Sequence, residues 1–171
     1  MKYVSVQEMI QIEQAADSSG YSYSQMMEAA GKGLSEQIEI FYGEGGNRII
    51  TALVGSGNNG GDALVALDYL EKQGWQTCAL FLKNRPEDDR LVTRYLSSGG
   101  VVKDCTSVNQ AQSIFMMYIP ESDVVLDAVL GTGIKLPIRG ELKELMSMAK
   151  KIWADINHPP VVVAVDCPSG I

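Results

Sequence analysis

From residue 48 onward the chain alternates short apolar runs with stretches of helical periodicity, and this alternation restricts the fold more than any other feature. Residues 48–54, 76–82, 101–103, 123–129 and 161–165 read as strands, and residues 62–73, 87–98, 108–118 and 140–155 as helices. Strands that are apolar along nearly their whole length are buried on both faces, which requires a mostly parallel sheet covered by helices on each side. The expected architecture is α/β, three αβα layers of Rossmann-like type. Two helices precede it. The first, over 6–17, carries Met9, Ile10, Ile12, Ala15 and Ala16 and stops near Gly20. The second follows Ser22, three residues before Gln25 in the manner of a capping box, and carries Met26, Met27, Ala29, Ala30, Leu34, Ile38 and Phe41. No repeat, biased segment or linker interrupts the sequence, so residues 1–171 are read as a single domain.

Composition removes several classes of function. With 14 basic and 21 acidic residues the formal net charge is -7, ill suited to tracking a nucleic-acid backbone. The apolar runs are too short to span a membrane, and residues 1–3 lead into a polar helical pattern without a signal-peptide core. Cys78, Cys105 and Cys167 are odd in number and widely spaced, which gives neither a disulfide framework nor a metal-site pattern. The lone His158 precedes Pro159 and Pro160 and suggests no Ser-His-Asp arrangement. A cytoplasmic protein with no nucleic-acid or membrane partner is expected.

Ligands of such sheets bind beyond the carboxyl ends of the strands, and three of those ends carry unusual loops. The first reads Gly55, Ser56, Gly57, Asn58, Asn59, Gly60, Gly61, Asp62. Its glycines permit close backbone approach, its amides can hold a phosphate, and Asp62 adds a carboxylate at the expected helix start, where it would otherwise serve as a cap. Gly55, Gly57 and Gly60 also satisfy a dinucleotide fingerprint. No carboxylate follows at the end of the second strand, but Lys83 and Arg85 would suit a 2′-phosphate, so an NADP-dependent oxidoreductase stays open. The second loop runs from Asp127, late in an apolar strand where a bare carboxylate is costly, through Gly131 and Gly133 to Lys135 and Pro137. The third, Asp166 to Gly170, places another carboxylate at the end of a buried strand, with Pro168 and Gly170 shaping the turn that carries Ser169. Nothing cationic adjoins Cys167, which reads as a packed thiol.

Together, Asn58-Asn59-Gly60-Gly61-Asp62, Asp127 with Gly131-Thr132-Gly133, and Asp166 with Pro168-Ser169-Gly170 resemble the YjeF N-terminal family of NAD(P)HX epimerases. The helix around Glu8 to Ala16 and the stretch Met27-Glu28-Ala29-Ala30-Gly31 fit the same pattern. The resemblance implies an isomerase that interconverts the R and S epimers of hydrated NADH and NADPH. It implies substrate contacts from Asn58, Asn59, Gly60, Gly61 and Asp62, from Gly131, Thr132, Gly133, Ile134, Lys135, Leu136 and Pro137, and from Asp166. Asp166 and Lys135 are the implied catalytic groups, and Asn59, Asp127 and Ser169 the implied ligands of a potassium ion, an all-oxygen set suited to a hard cation. A homodimer and a fused or separate NAD(P)H-hydrate dehydratase are the implied partners.

Two departures stand out. Ala63 replaces the glycine that usually follows the Asn-Asn-Gly-Gly-Asp run. Family members also generally continue past the position of Ile171 with an acidic residue and further strands, so either this domain is shortened at its C-terminus or further residues follow. Besides the oxidoreductase, a non-catalytic binding or scaffold module of the same fold is the other alternative; loss of the carboxylates would favour it, yet Asp62, Asp127 and Asp166 are all present.

Overall fold

The computed structural model describes residues 4–131 and 137–169. Thr132, Gly133, Ile134, Lys135, Leu136 and Gly170 therefore lie outside the described residues. Helix α1 (Val6–Ser18) begins at a capping box in which Ser5 accepts from the Glu8 amide and the Glu8 carboxylate accepts in return. Helix α2 (Tyr23–Tyr42) repeats the device with Ser22 and Gln25. There follow β1 (Ile49–Val54), α3 (Asn58–Lys72), β2 (Gln76–Phe81), α4 (Arg90–Ser97), β3 (Val101–Asp104), α5 (Val108–Tyr118), β4 (Val124–Ala128), α6 (Gly140–Ala154) and β5 (Val161–Ala164).

All five strands are parallel, in the order β3-β2-β1-β4-β5. The chain builds outward from β1 in one direction and then resumes on its other side, so the strand order reverses between β1 and β4 and opens a crevice beyond their carboxyl ends. One core fills the face toward α2, α3 and α4, around Ile38, Leu64, Leu67, Trp75 and Tyr95. The other fills the face toward α5 and α6, around Leu53, Leu80, Phe115, Leu145 and Met146. This is the three-layer arrangement expected from the apolar strands.

One boundary differs in a way that matters. Helix α3 starts at Asn58, not at Asp62, so the Asn-Asn-Gly-Gly run forms its first turn. Two tertiary contacts fix that turn. A Cβ on Gly60 would collide with the Gly55 carbonyl and with the Arg85 guanidinium, and one on Gly61 would meet Met27 of α2 at 2.7 Å. Side-chain-free positions let the helix begin inside a space that no larger residue could enter. Asp62 consequently sits a full turn into the helix, and Gly57 stands at the N-cap without any side-chain cap. The capping reading of Asp62 is thereby corrected.

Candidate active site

The three strand ends are joined by one set of hydrogen bonds. From the first turn of α3, the Asn59 amide nitrogen donates to the carbonyls of Leu130, after β4, and Val165, after β5, at 3.0 and 2.5 Å. The Leu130 amide donates to Ser169 Oγ at 3.0 Å, and the Ser169 amide to Asp127 Oδ2 at 2.6 Å. Sheet register makes this possible: Asp127 is level with Leu53 of β1 and Ala164 of β5, so residues just past it face their neighbours across the crevice. Asn59, Asp127 and Ser169, widely separated in sequence, thus form one buried group with exposures of 9%, 1% and 6%. Gly131 completes the contact, since a Cβ there would lie 2.5 Å from Asn59 Oδ1.

The chemistry of this group bears on the expected potassium ion. Asp127 is a buried carboxylate whose described hydrogen-bond partners are the amides of Ser169 and, at 3.5 Å, Val129, with no basic side chain among them. A carboxylate so placed is electrostatically undercompensated, and amide, hydroxyl and carboxylate oxygens are what a hard cation prefers. Among the described residues no cluster of three His, Cys, Asp or Glu gathers that would suit a transition metal. The oxygen atoms of Asn59, Asp127 and Ser169 fit a hard cation.

Beside the group lies a cavity of about 410 Å³ whose walls include Asn58, Asn59, Asp62 and Asp166, with Met9 and Glu13 of α1 on its far side. A smaller pocket of about 190 Å³ continues from it along α2. Burial, reinforced by the negative charges of Asp166 and Glu13, pushes the Asp62 carboxyl up to about 6. Asp166 is exposed and has φ +70°, a left-handed conformation rarely adopted by residues other than glycine. It sits at the centre of a three-residue turn closed by the Cys167 amide donating to the Val165 carbonyl at 3.0 Å. Such a turn is rare and strained, and it holds the carboxylate at the strand end. Burial raises the Cys167 thiol above its usual range, with Asp166 and Asp127 adding to the effect, and the thiol is half-buried and outside both cores. Pro137, the last residue of the second loop, is exposed.

The first amides of a helix have no intrahelical acceptor, and at the start of α3 Gly57 supplies no side-chain cap for them. Sequence reasoning assigned Arg85 to a ligand's 2′-phosphate, and that reading is corrected. Its guanidinium is already engaged, donating to the Gly55 carbonyl at 2.9 Å, to the Gly57 carbonyl at 3.3 Å and to Asp89 at 2.7 Å, with the ion pair almost fully buried. Arg85 is a clamp on the glycine turn, which leaves the exposed Lys83 as the one cation of that pair still open to a ligand. Glu13 was not singled out from sequence. The signal was present: Glu13 falls four residues after Met9 and three after Ile10, interrupting an apolar stripe. A separate groove of about 360 Å³ between the C-terminal halves of α5 and α6 lies toward the opposite end of the strands and touches none of these residues.

Comparison with known proteins identifies the family. The chain is 32% identical to an NAD(P)H-hydrate epimerase of Entamoeba histolytica, over 99% of its own length and 70% of that protein. It is 33% identical to a bifunctional NAD(P)H-hydrate repair enzyme of Archaeoglobus fulgidus, spanning all of this chain but only 33% of the relative. The crystal structure of yeast ynu0 superposes with a TM-score of 0.81 at 25% identity, over 99% of this chain and 72% of that one. The family described as YjeF-related protein N-terminus matches residues 23–171. With that match over most of its length, the chain belongs to the YjeF N-terminal family.

Proposed function

We propose that this chain is an NAD(P)HX epimerase, an isomerase acting on the hydrated ring of damaged NADH and NADPH. The observation that carries the reading is the junction of three strand ends beside a carboxylate-lined cavity, with Asp166 held in a strained turn at its wall. The names of the Entamoeba and Archaeoglobus relatives support the same reaction. Asn58, Asn59, Gly60 and Gly61, with Gly131 to Pro137, take the nucleotide and its phosphates, which is consistent with the uncapped amides of α3, and Asp62 contacts the substrate beside them. Asp166 exchanges a proton with the hydroxyl or water at the hydrated carbon, and Lys135 assists from the second loop. Asn59, Asp127 and Ser169 would hold potassium, which when bound would offset the Asp127 charge and tie the three strand ends together.

The finer settings of this reading follow from the same features. Apolar residues exposed on α1 support a homodimer. The bifunctional Archaeoglobus relative supports a dehydratase, fused or separate, as the enzyme that consumes the S epimer. Buried free Cys78 and Cys105 support a reducing, cytoplasmic setting.

The test is direct. Acid-treated NADPH is incubated with the protein and its two epimers are resolved by chromatography, with hydride transfer from intact NADPH as control. Accelerated exchange that falls by roughly two to four orders of magnitude in Asp166→Asn is expected. Full exchange by Asp166→Asn would remove Asp166 from the mechanism, and hydride transfer would overturn the isomerase reading.

A further inference from the structure

We propose that Glu13, carried by α1, is a substrate-contacting residue that makes the cavity take the hydrated ring half of the substrate and turn its phosphates toward the glycine loops. The proposal rests on the epimerase reading above and concerns a helix that precedes the matched family segment.

The unusual fact is that a carboxylate of α1 lines the cavity beside Met9. None of its thirteen residues is fully buried, and Val6, Met9, Ile10 and Ile12 are all exposed. Only Glu13 and Ala16 are partly shielded. A helix retained for packing would turn its apolar side to the protein and its carboxylates to water. Here a carboxylate shares the cavity wall with Met9 and is more shielded than either Met9 or Ile10, which are 39% and 38% exposed. Glu13 also stands across the cavity from Asp62 and Asp166, two groups of its own charge, and among the described residues no basic side chain or hydrogen-bond donor is recorded on it.

Three carboxylates around one space repel a pyrophosphate and accept hydrogen bonds from hydroxyl and amide N–H groups. The two halves of the substrate differ in that respect. Its phosphates are anionic and suit the uncapped α3 amides, whereas the hydrated ring is neutral and carries a hydroxyl, a carboxamide and the adjoining ribose hydroxyls. Glu13 therefore acts on orientation: it rewards the pose that brings the hydrated carbon to Asp166 and opposes the reverse one. Burial is the larger cause of the raised Asp62 carboxyl, and the charges of Asp166 and Glu13 add to it, as this arrangement of three carboxylates requires.

Glu13→Gln, Glu13→Ala and Glu13→Lys are to be compared with the parent chain. Losing a charged hydrogen-bond acceptor lowers kcat/KM for epimer exchange on hydrated NADH by about tenfold or more in the Gln and Ala variants. Their Tm stays level or rises, because a like charge has been removed from the cavity. By calorimetry, inorganic pyrophosphate binds more tightly to Glu13→Lys than to the parent. Exchange within about twofold of the parent in both neutral variants, or an activity loss accompanied by a lower Tm, overturns the proposal. So does unchanged pyrophosphate binding. Absence of exchange in the parent chain would instead overturn the epimerase reading, and the pyrophosphate titration would still decide whether Glu13 excludes phosphates.

Discussion

At the scale of single residues, the site departs from ordinary stability rules at Asp127, Asp62 and Asp166. Asp127 is buried with only backbone amides as its hydrogen-bond partners among the described residues, Asp62 is half-buried beside like charges, and Asp166 holds a positive φ. Such departures are expected where geometry serves a ligand. The Asp62 shift yields a pH prediction. A carboxyl whose pKa is about 6 in the folded chain, against about 4 unfolded, binds its proton more readily when folded. Its contribution to stability is fully present below the unfolded value and is lost as pH rises through about 6. Asp62→Asn should therefore have a Tm close to the parent near pH 4 and a clearly higher one at pH 8, by thermal denaturation across that range. A Tm difference that does not grow with pH would show that the folded chain does not hold the Asp62 carboxyl above its usual range.

At the scale of elements, α2, α3 and α4 are locked together by one arginine. Arg94 donates to Asp68 at 2.6 Å and to both oxygens of Glu28, at 2.5 and 3.1 Å, and lies 5.4 Å from the centre of the Tyr69 ring. Asp68 is 1% exposed, shares Lys72 as a second partner and still has one oxygen without a hydrogen bond. Removing the guanidinium leaves a buried charge undercompensated, so Arg94→Met should destabilise by about 3 kcal/mol in chemical denaturation. Arg94→Lys should recover only part, because an ammonium cannot bridge two carboxylates in one plane. A loss below about 1 kcal/mol in the Met variant would mean that the network is no stronger than a surface ion pair. Most of these elements were legible in the sequence, because apolar strands and helical spacing are local signals. The start of α3 was not. Asparagine and glycine are poor helix formers, so periodicity points to Asp62 as the beginning. Contacts with Gly55, Arg85 and Met27, which no local pattern reports, set it at Asn58. Arg85 was misread for the same reason: its partners are backbone carbonyls thirty and twenty-eight positions away. The grouping of Asn59, Asp127 and Ser169 followed from family resemblance, since spacing alone cannot reveal the register that brings them level.

At the scale of the molecule, α1 poses the remaining question of assembly. It is capped at its start and adds no residue to either core, yet it walls the cavity through Met9 and Glu13. A thirteen-residue helix is marginal in water when nothing packs on it. Val4, Val6, Met9, Ile10 and Ile12 are all more than one-third exposed, as are Ile40 and Phe41 at the end of α2. Apolar surface on this scale is characteristic of an interface, and a second copy of the chain would supply the missing burial. The chain should therefore sediment as a dimer at micromolar concentration, and the double substitution Ile10→Glu with Ile12→Glu should yield monomers. Because the same helix closes the cavity, the monomers should also lose epimerisation, with KM rising more than kcat falls as the wall becomes mobile. A monomeric parent chain would sink the dimer. Full activity in monomeric variants would show instead that α1 holds its place over the cavity without a partner.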